Sequence, residues 1–401
     1  MLRRDCRHFP GDRPCVFHKQ DLVTCDSCLH YAPRGTAVLI VKLEALGDVL
    51  RTTSILPALH RQYDPCHVTW ITSPAARELF AGNDLVDKVI WSPDDYLPTL
   101  LSRTYDVVIN PDAAIRSCEL AAISRGHTAF GYRLGPQGIV IALNSAADRW
   151  LEMGGSDTLK RTNAKTYQQI LHEMCALNPK GQHIVLNLTD DEAAEREGLA
   201  REAGIDPALP VVGLNTGAGK RWELKKWRTD GFMGLIDMIL EGSDAQVVLL
   251  GGELESGRNT FIASRFDKRV LNPSLRSIRR FVRTIDLCDA VVTGDTLALH
   301  AALGLKKRVV ALFGPTSPAE IDMYDLGTKI VPDIDCVCCY KNGCRREPNC
   351  MELITAEQVY AHLVAEMETA VSGRDVGEAA YAGDAPGKED ECMVGEPTAD
   401  W

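Results

Sequence analysis

Two aspartates stand at turns where an apolar strand pattern gives way to a helical pattern, and both could take part in acid–base chemistry. Asp48 follows the apolar run AVLIV and Gly47, and Asp295 follows the run AVVTG. A carboxylate at such a turn can take a proton from a bound molecule or accept hydrogen bonds from it. An acidic residue also stabilises a helix start by capping its first turn. The local sequence leaves both explanations open.

A glycine-containing loop followed by basic residues indicates a site for phosphate groups. In GLNTGAGKRWELKKW, the backbone of Thr216, Gly217 and Gly219 can bring N–H groups to an anion. The cations that could neutralise such an anion follow at once: Lys220, Arg221, Lys225 and Lys226. The alternative is a solvated basic loop without a ligand.

The elements that must position these residues are two series of apolar strands separated by helical stretches. The first series lies at 37–41, 67–72, 88–92 and 106–110, and the second at 211–215, 245–252, 290–294 and 308–314. Helical patterns lie at 75–81, 113–124 and 190–203, and Pro57 should break the helical stretch after Asp48. Continuous apolar strands alternating with helices are typical of parallel sheets covered on both faces. We therefore predict an α/β fold of two Rossmann-like, doubly wound lobes, with ligands at the carboxyl ends of the strands.

The length and charge distribution divide the chain further. With 401 residues the chain is long enough for two domains of roughly 150 residues. We predict a cysteine-rich N-terminal knuckle (1–35), a first lobe (36–185), a second lobe (186–335), a cysteine cluster with a C-terminal helix (336–370) and an acidic flexible tail (371–401). The net charge is −11, and residues 374–401 carry eight acids and two bases, a net of −6. The rest of the chain is only mildly acidic and can hold a basic cleft.

No stretch approaches the roughly 18 apolar residues of a membrane-spanning helix, and the N-terminus lacks the apolar core of a signal peptide. We expect a cytoplasmic protein with no nucleic-acid partner. Fourteen cysteines in a reducing compartment are not expected to form disulfides. The N-terminal group could supply four ligands by itself: Cys6, Cys15, Cys25 and Cys28. Clustered thiolates of this kind favour a structural Zn or Fe ion, with free thiols or an iron–sulfur centre as alternatives.

Several motifs resemble glycosyltransferase family 9, the heptosyltransferases of lipopolysaccharide core assembly. They are VLIVKLEALGDVLRTT near the first turn and VVTGDTLALHAALGLKKRVVALFGPTSP near the second. The resemblance covers roughly residues 37–325, and it departs from the family pattern at Leu297 and Lys307. It implies the GT-B fold, with a cleft between the lobes, and inverting transfer from a nucleotide-diphosphate sugar without a catalytic metal.

The resemblance also implies roles for individual residues. Asp48 matches the catalytic base, although Glu44 supplies a second acid nearby. Lys225 matches the diphosphate lysine, for which Lys220 is a competing candidate. The residues implied for the nucleoside and the donor sugar are Glu255 or Glu253 and Asp295, Thr296 and His300. A buried structural role is the alternative for His300.

Arg116 and Ser117 match a family segment on the acceptor side, with a plain surface arginine as the alternative. Similarity to autotransporter heptosyltransferases, which are known for a four-cysteine iron site, implies a structural metal at a second group of cysteines, with Cys338 as a further candidate: Cys336, Cys339, Cys344 and Cys350.

The function that this resemblance implies is transfer of heptose from ADP-heptose to a lipopolysaccharide inner-core acceptor. The acceptor would be a lipid-linked oligosaccharide, reached by peripheral contact with the inner face of the cytoplasmic membrane. The alternatives are protein O-heptosylation, as in autotransporter modification, and a metal-binding regulatory protein on an inactive transferase scaffold.

Overall fold

The computed structural model describes residues 1–180, 183–219, 223–341 and 343–380, with side chains as far as residue 370. Within these ranges the chain forms two six-stranded sheets, each flanked by helices. None of the helices in the described ranges is long and apolar enough to cross a membrane.

The N-terminal segment and the first lobe precede residue 180. Their elements are α1 (Val16–Asp21), β1 (Thr36–Val41), α2 (Leu46–Thr52), α3 (Leu56–Gln62), β2 (Cys66–Ile71), β3 (Lys88–Ile90), α4 (Pro93–Ser102), β4 (Thr104–Asn110), α5 (Ile115–Ile123), β5 (Arg125–Leu134), β6 (Val140–Ala142), α6 (Ser145–Gly155), α7 (Asp157–Thr162) and α8 (Tyr167–Met174). The strand order is β3-β2-β1-β4-β5-β6, and all neighbours are parallel except β5 and β6.

The second lobe repeats this plan. Its elements are α9 (Asp190–Ala194), α10 (Arg196–Ala203), β7 (Val211–Asn215), α11 (Thr229–Gly242), β8 (Gln246–Leu250), α12 (Ser256–Ala263), β9 (Val270–Leu271), α13 (Ile278–Asp286), β10 (Ala290–Gly294), α14 (Leu297–Gly304), β11 (Arg308–Leu312), β12 (Gly327–Ile330) and α15 (Ala356–Ala380). The parallel order β9-β8-β7-β10-β11-β12 is the same as in the first sheet. Each lobe therefore has the 3-2-1-4-5-6 strand order of a Rossmann fold, which confirms the predicted fold class.

The first β–α unit shows why the sequence folds in this way. Residues 38–41 of β1 are fully buried because helices cover both faces of the sheet. Pro57 does break the helical stretch, since α2 ends at Thr52 and a 3-10 turn separates it from α3. The stretch expected as a helix at 75–81 forms the 3-10 helix Pro74–Phe80 instead.

Candidate active site

A cleft of about 1150 Å³ lies between the two lobes. Its walls include the starts of α2 and α14, the loops after β7 and β8, and parts of α6, α7 and α13. Both strand-to-helix turns identified in the sequence therefore face the same space. Its volume exceeds the ~1000 Å³ upper end that is typical of a site for one small ligand.

Gly47 lies where the two lobes touch. A Cβ atom at this position would come within 2.8 Å of Cδ2 of the His300 ring, on α14. Only glycine leaves room for the imidazole, so the helix start that carries Asp48 approaches the helix that follows Asp295. This contact brings the two sequence motifs into one site.

Asp48 is surrounded by positive charge. Its Oδ1 atom lies 2.8 Å from a terminal nitrogen of Arg51, one helical turn further along α2. Burial alone would raise the pKa of Asp48, but Arg51, Lys42, His300 and Lys225 together lower it to about 2. Its side chain is 38% exposed, so a molecule in the cleft can reach the ionised carboxylate.

Lys42 is a site residue that sequence reasoning missed. It follows β1 directly, at the end of the run VLIVK, and it is buried. Its ammonium group donates to the Glu44 carbonyl at 2.5 Å and to Oδ2 of Asp112 at 3.2 Å. Burial opposes its charge, but the acidic groups of Asp48, Tyr167 and Asp112 keep its pKa raised. Lys42 thus fixes a positive charge behind Asp48.

In the second lobe, Lys225 and Asp295 form a partly buried ion pair at the edge of the cleft. The Lys225 ammonium donates to Oδ2 of Asp295 at 2.8 Å and to its carbonyl at 3.0 Å. Burial would raise the pKa of Asp295, but Lys225, His300 and Arg51 lower it. Thr296 caps α14, because its hydroxyl accepts from the Ala298 N–H at 3.2 Å. The pair places one cation and one anion at the start of this helix.

The glycine loop after β7 packs against a buried carboxylate. A Cβ atom on Gly217 would come within 2.5 Å of Oε1 of Glu255, and Gly219 has a φ of 69°. The Oε2 atom of Glu255 accepts from the Gly252 N–H at 2.9 Å, whereas the buried Oε1 has no hydrogen-bond partner among the described residues. An unsatisfied carboxylate oxygen beside a cleft is suited to accept a hydrogen bond from a ligand.

Not every expected residue reaches the cleft. The Thr216 hydroxyl points inward and donates to Oδ1 of Asn259 at 2.5 Å. The Ser117 side chain is fully buried and donates to Asp112 at 3.3 Å. Arg116 is exposed and does not line the cleft.

The alternative acids differ in position. Glu44 is exposed and does not line the cleft, whereas Glu253 is exposed and does line it. The competing lysine, Lys220, lies outside the described residues, as do Arg221 and Trp222.

His300 is buried between the two acidic residues. Its Nε2 atom lies 3.9 Å from Oδ1 of Asp295, and its ring contacts Gly47. Burial and the charge of Arg51 lower the pKa of His300 to about 4, although Asp295 and Asp48 act in the opposite direction. The imidazole is therefore neutral at neutral pH.

This lowered pKa predicts a pH-dependent stability. Between about pH 6.5 and 4 the unfolded chain protonates His300 while the folded chain does not, so folding stability falls as the pH falls through this window. The loss can reach about 3 kcal/mol. We expect His300→Asn to remove this part of the slope in denaturant unfolding measured from pH 7 to 4.5. His127→Asn, at an exposed position, is the control, and an unchanged slope in His300→Asn would contradict the assignment.

The cysteines do not form a metal centre in the observed arrangement. In the described part of the chain, no group of three or more Cys, His, Asp or Glu side chains could hold a metal ion. Burial and the neighbouring Cys339, Cys336 and Cys344 raise the pKa of Cys350 to about 11. The N-terminal cysteines Cys6, Cys15, Cys25 and Cys28 line a separate cavity of about 560 Å³. The described side chains thus do not fit the predicted structural metal at either cluster.

Two Rossmann-like lobes, with a carboxylate and a lysine–aspartate pair facing one cleft, define a glycosyltransferase of the GT-B type. The chain belongs to glycosyltransferase family 9 (heptosyltransferase), whose pattern it matches over residues 97–349. It uses a nucleotide-sugar donor, as this family does.

The relatives of this chain include heptosyltransferases. The chain is 24% identical to lipooligosaccharide heptosyltransferase 2 of Haemophilus influenzae, over 70% of this chain and 84% of that protein. It is 23% identical to lipopolysaccharide heptosyltransferase 1 of Pseudomonas aeruginosa, over 78% and 88% respectively.

The fold is shared with a family 9 glycosyl transferase from Veillonella parvula, with a TM-score of 0.70, 15% identity and coverage of 83% and 98%. It is also shared with the E. coli ADP-heptose lipopolysaccharide heptosyltransferase II, with a TM-score of 0.64, 17% identity and coverage of 83% and 99%. The iron-containing dodecameric glycosyltransferase TibC of enterotoxigenic E. coli has a TM-score of 0.51 and 14% identity, with coverage of 84% and 77%.

Proposed function

We propose that the protein transfers heptose from ADP-heptose to an inner-core sugar of lipopolysaccharide, with inversion at the anomeric carbon. The observation that carries the proposal is the meeting of Asp48 with the Lys225–Asp295 pair in one cleft of a family 9 chain. The relatives that act on lipopolysaccharide and lipooligosaccharide supply the substrate class.

The proposed chemistry needs a base and a stabilised leaving group. The acceptor hydroxyl must lose a proton as its oxygen attacks the anomeric carbon, and the ionised carboxylate of Asp48 can accept it. The departing nucleoside diphosphate gains negative charge, which Lys225 and the N–H groups of the Gly217–Gly219 loop can stabilise. Asp295 would then bind hydroxyls of the donor sugar. No step in this scheme uses a metal ion.

The donor can be tested without knowing the acceptor. We expect calorimetric titration with ADP-heptose to give a Kd in the micromolar range, and titration with UDP- and GDP-sugars to give binding at least about tenfold weaker. Preferential binding of a UDP- or GDP-sugar would contradict the proposed donor. Absence of binding by every nucleotide sugar would favour a scaffold that has lost its activity.

Glu255 should contribute strongly to donor binding through its unpaired Oε1 atom. Replacing it with Gln removes the negative charge that a hydroxyl of the nucleoside would bond to. A hydrogen bond to a charged group contributes about 1.5–3 kcal/mol, so we expect the Kd of ADP-heptose to rise about tenfold or more in Glu255→Gln. Glu253→Gln changes an exposed acid on the same 3-10 helix and should bind nearly as the wild type does. If the ADP-heptose Kd rose more in Glu253→Gln than in Glu255→Gln, the residue that contacts the nucleoside would be Glu253.

The acceptor is proposed to be lipid-linked and to be met at the inner face of the cytoplasmic membrane.

A structural metal at the cysteine clusters is a separate proposal. Only the cysteine spacing supports it, because the described side chains do not form a group that could hold a metal ion. Metal analysis of the purified full chain, before and after replacing Cys25 and Cys28 with Ser, tests the N-terminal cluster. Equal metal content in both proteins would exclude it.

A further inference from the structure

One wall of the cleft is formed by a part of the chain that lies beyond the two motifs around Asp48 and Asp295. Residues 336–341, here called the 336–341 segment, lie against the loop after β11. The Cys338 N–H donates to the Gly314 carbonyl at 3.0 Å, and the Tyr340 N–H donates to the Pro315 carbonyl at 2.8 Å. These backbone bonds place Tyr340 and Lys341 on the cleft lining.

Tyr340 connects both lobes at this wall. Its hydroxyl donates to Oε1 of Glu320 at 3.0 Å and accepts from the Ser317 N–H at 3.2 Å. From the first lobe, the ammonium nitrogen of Lys160 in α7 lies 5.0 Å from the centre of the Tyr340 ring. A cation at this distance from an aromatic face is attracted to it. Tyr340 therefore holds a carboxylate and a cation beside the cleft.

This group is linked to the proposed catalytic base. Arg51, which pairs with Asp48, lies 3.8 Å from the centre of the Tyr167 ring, and the Tyr167 N–H donates to the Glu320 carbonyl at 2.9 Å. A continuous series of contacts thus leads from Asp48 to Lys160. None of its members belongs to the donor group at Lys225, Asp295 and Glu255.

The ion pair that Lys160 makes within α7 leaves its ammonium group available to a ligand. Its carboxylate neighbour in α7, Asp157, lies 3.6 Å away and has a side chain that is 58% exposed. The Lys160 side chain is itself 19% exposed, but its attraction to the exposed Asp157 carboxylate is reduced because water screens that carboxylate. Lys160 and Asp157 both line the cleft, as does the ring of Trp150. The first lobe thus presents a cation and an aromatic surface to a second ligand.

We propose that Lys160 binds an anionic substituent of the acceptor sugar, and that Tyr340 is the positioning residue that holds Lys160 and Glu320 on the cleft wall. The proposal rests on the proposed function. It assigns the acceptor to the space between α6, α7 and the 336–341 segment, and it makes the acceptor a carboxylated or phosphorylated glycan. The 336–341 segment is then part of the substrate site.

The test measures acceptor binding separately from donor binding. The probe is the deacylated oligosaccharide of a heptose-deficient lipopolysaccharide, titrated calorimetrically into the full chain saturated with ADP. We expect its Kd to rise about tenfold or more in Lys160→Met. Lys165→Met is the matched control, because Lys165 pairs with Glu173 outside the cleft lining and should bind as the wild type does.

Two variants of Tyr340 separate its contacts. Tyr340→Leu removes the ring under Lys160 and should weaken the oligosaccharide nearly as much as Lys160→Met. Tyr340→Phe keeps the ring, loses the bond to Glu320, and should have the smaller effect. The ADP-heptose Kd should stay within about twofold of the wild-type value in all of these variants. A loss of ADP-heptose binding by the wild-type protein would instead overturn the proposed function.

The same titration identifies the anion. If the group is a phosphate, the oligosaccharide dephosphorylated with hydrofluoric acid should bind the wild type weakly. If it is a carboxylate, the carboxyl-reduced oligosaccharide should do so. The proposal is overturned if the wild type does not bind the intact oligosaccharide, if neither treatment weakens binding, or if Lys160→Met binds as the wild type does.

Discussion

Asp48→Asn is expected to lower kcat for heptosyl transfer by about 10³-fold, because a positioned general base contributes roughly 10²–10⁴-fold to such a reaction. The amide keeps the shape of the side chain but cannot accept the proton of the acceptor hydroxyl. Donor binding should change little, since the donor residues lie in the second lobe. The measurement is steady-state kinetics together with calorimetric titration of ADP-heptose for both proteins.

Glu44→Gln provides the matched control for this variant. Glu44 lies four residues before Asp48 but is exposed outside the cleft lining, so its loss should leave kcat within about twofold of the wild-type value. A large loss of kcat in Glu44→Gln, with activity kept in Asp48→Asn, would transfer the role of base to Glu44. Equal losses would mean that the two acids act together.

Lys225→Met should have the second large effect, and this effect should appear in donor binding. The change removes a cation from the cleft and leaves the partly buried Asp295 carboxylate without its ion-pair partner. A charged hydrogen bond from Lys225 to the diphosphate contributes about 1.5–3 kcal/mol, so its loss corresponds to a donor Kd raised about tenfold or more. The kcat should fall as well, because the leaving diphosphate loses a stabilising charge.

The adjacent Lys226 is the natural control. Its ammonium donates to Oε1 of Glu223 at 2.9 Å, and it does not line the cleft, so Lys226→Met should bind ADP-heptose as the wild type does. If Lys226→Met were the weaker binder of the two, the diphosphate would not lie where we propose. If both variants bound normally, the lysine at 220 would become the candidate.

The sequence predicted the layers of this fold well because buried parallel strands form continuous apolar runs. Two strands, β7 at Val211–Asn215 and β10 at Ala290–Gly294, have the predicted bounds. β5 was missed because its run RGHTAFGYRL is mostly exposed and lacks an apolar stretch. The helices α6, α7 and α8 were missed as well, although they follow good caps at Asn144, Ser156 and Thr166.

The candidate site was predictable wherever its residues occur in one motif. Asp48, Asp295 and His300 follow strands within short segments, and Arg51 could have been found from its three-residue spacing to Asp48. Glu320 and Tyr340 belong to segments that the sequence does not connect, and only folding brings them together. Thr216 and Ser117 were predicted as site residues but bond to other side chains of the protein. The Thr216 hydroxyl donates to Asn259, and the Ser117 hydroxyl donates to Asp112.

The most direct test of the account is the transfer reaction itself. Purified protein is incubated with ADP-heptose and a heptose-deficient lipopolysaccharide, and the product is measured by mass spectrometry beside the Asp48→Asn variant. We predict that the wild type adds one heptose unit to the lipopolysaccharide and releases ADP, and that the variant does so about 10³-fold more slowly. An unmodified lipopolysaccharide after incubation with wild-type protein that binds ADP-heptose would contradict the proposed acceptor.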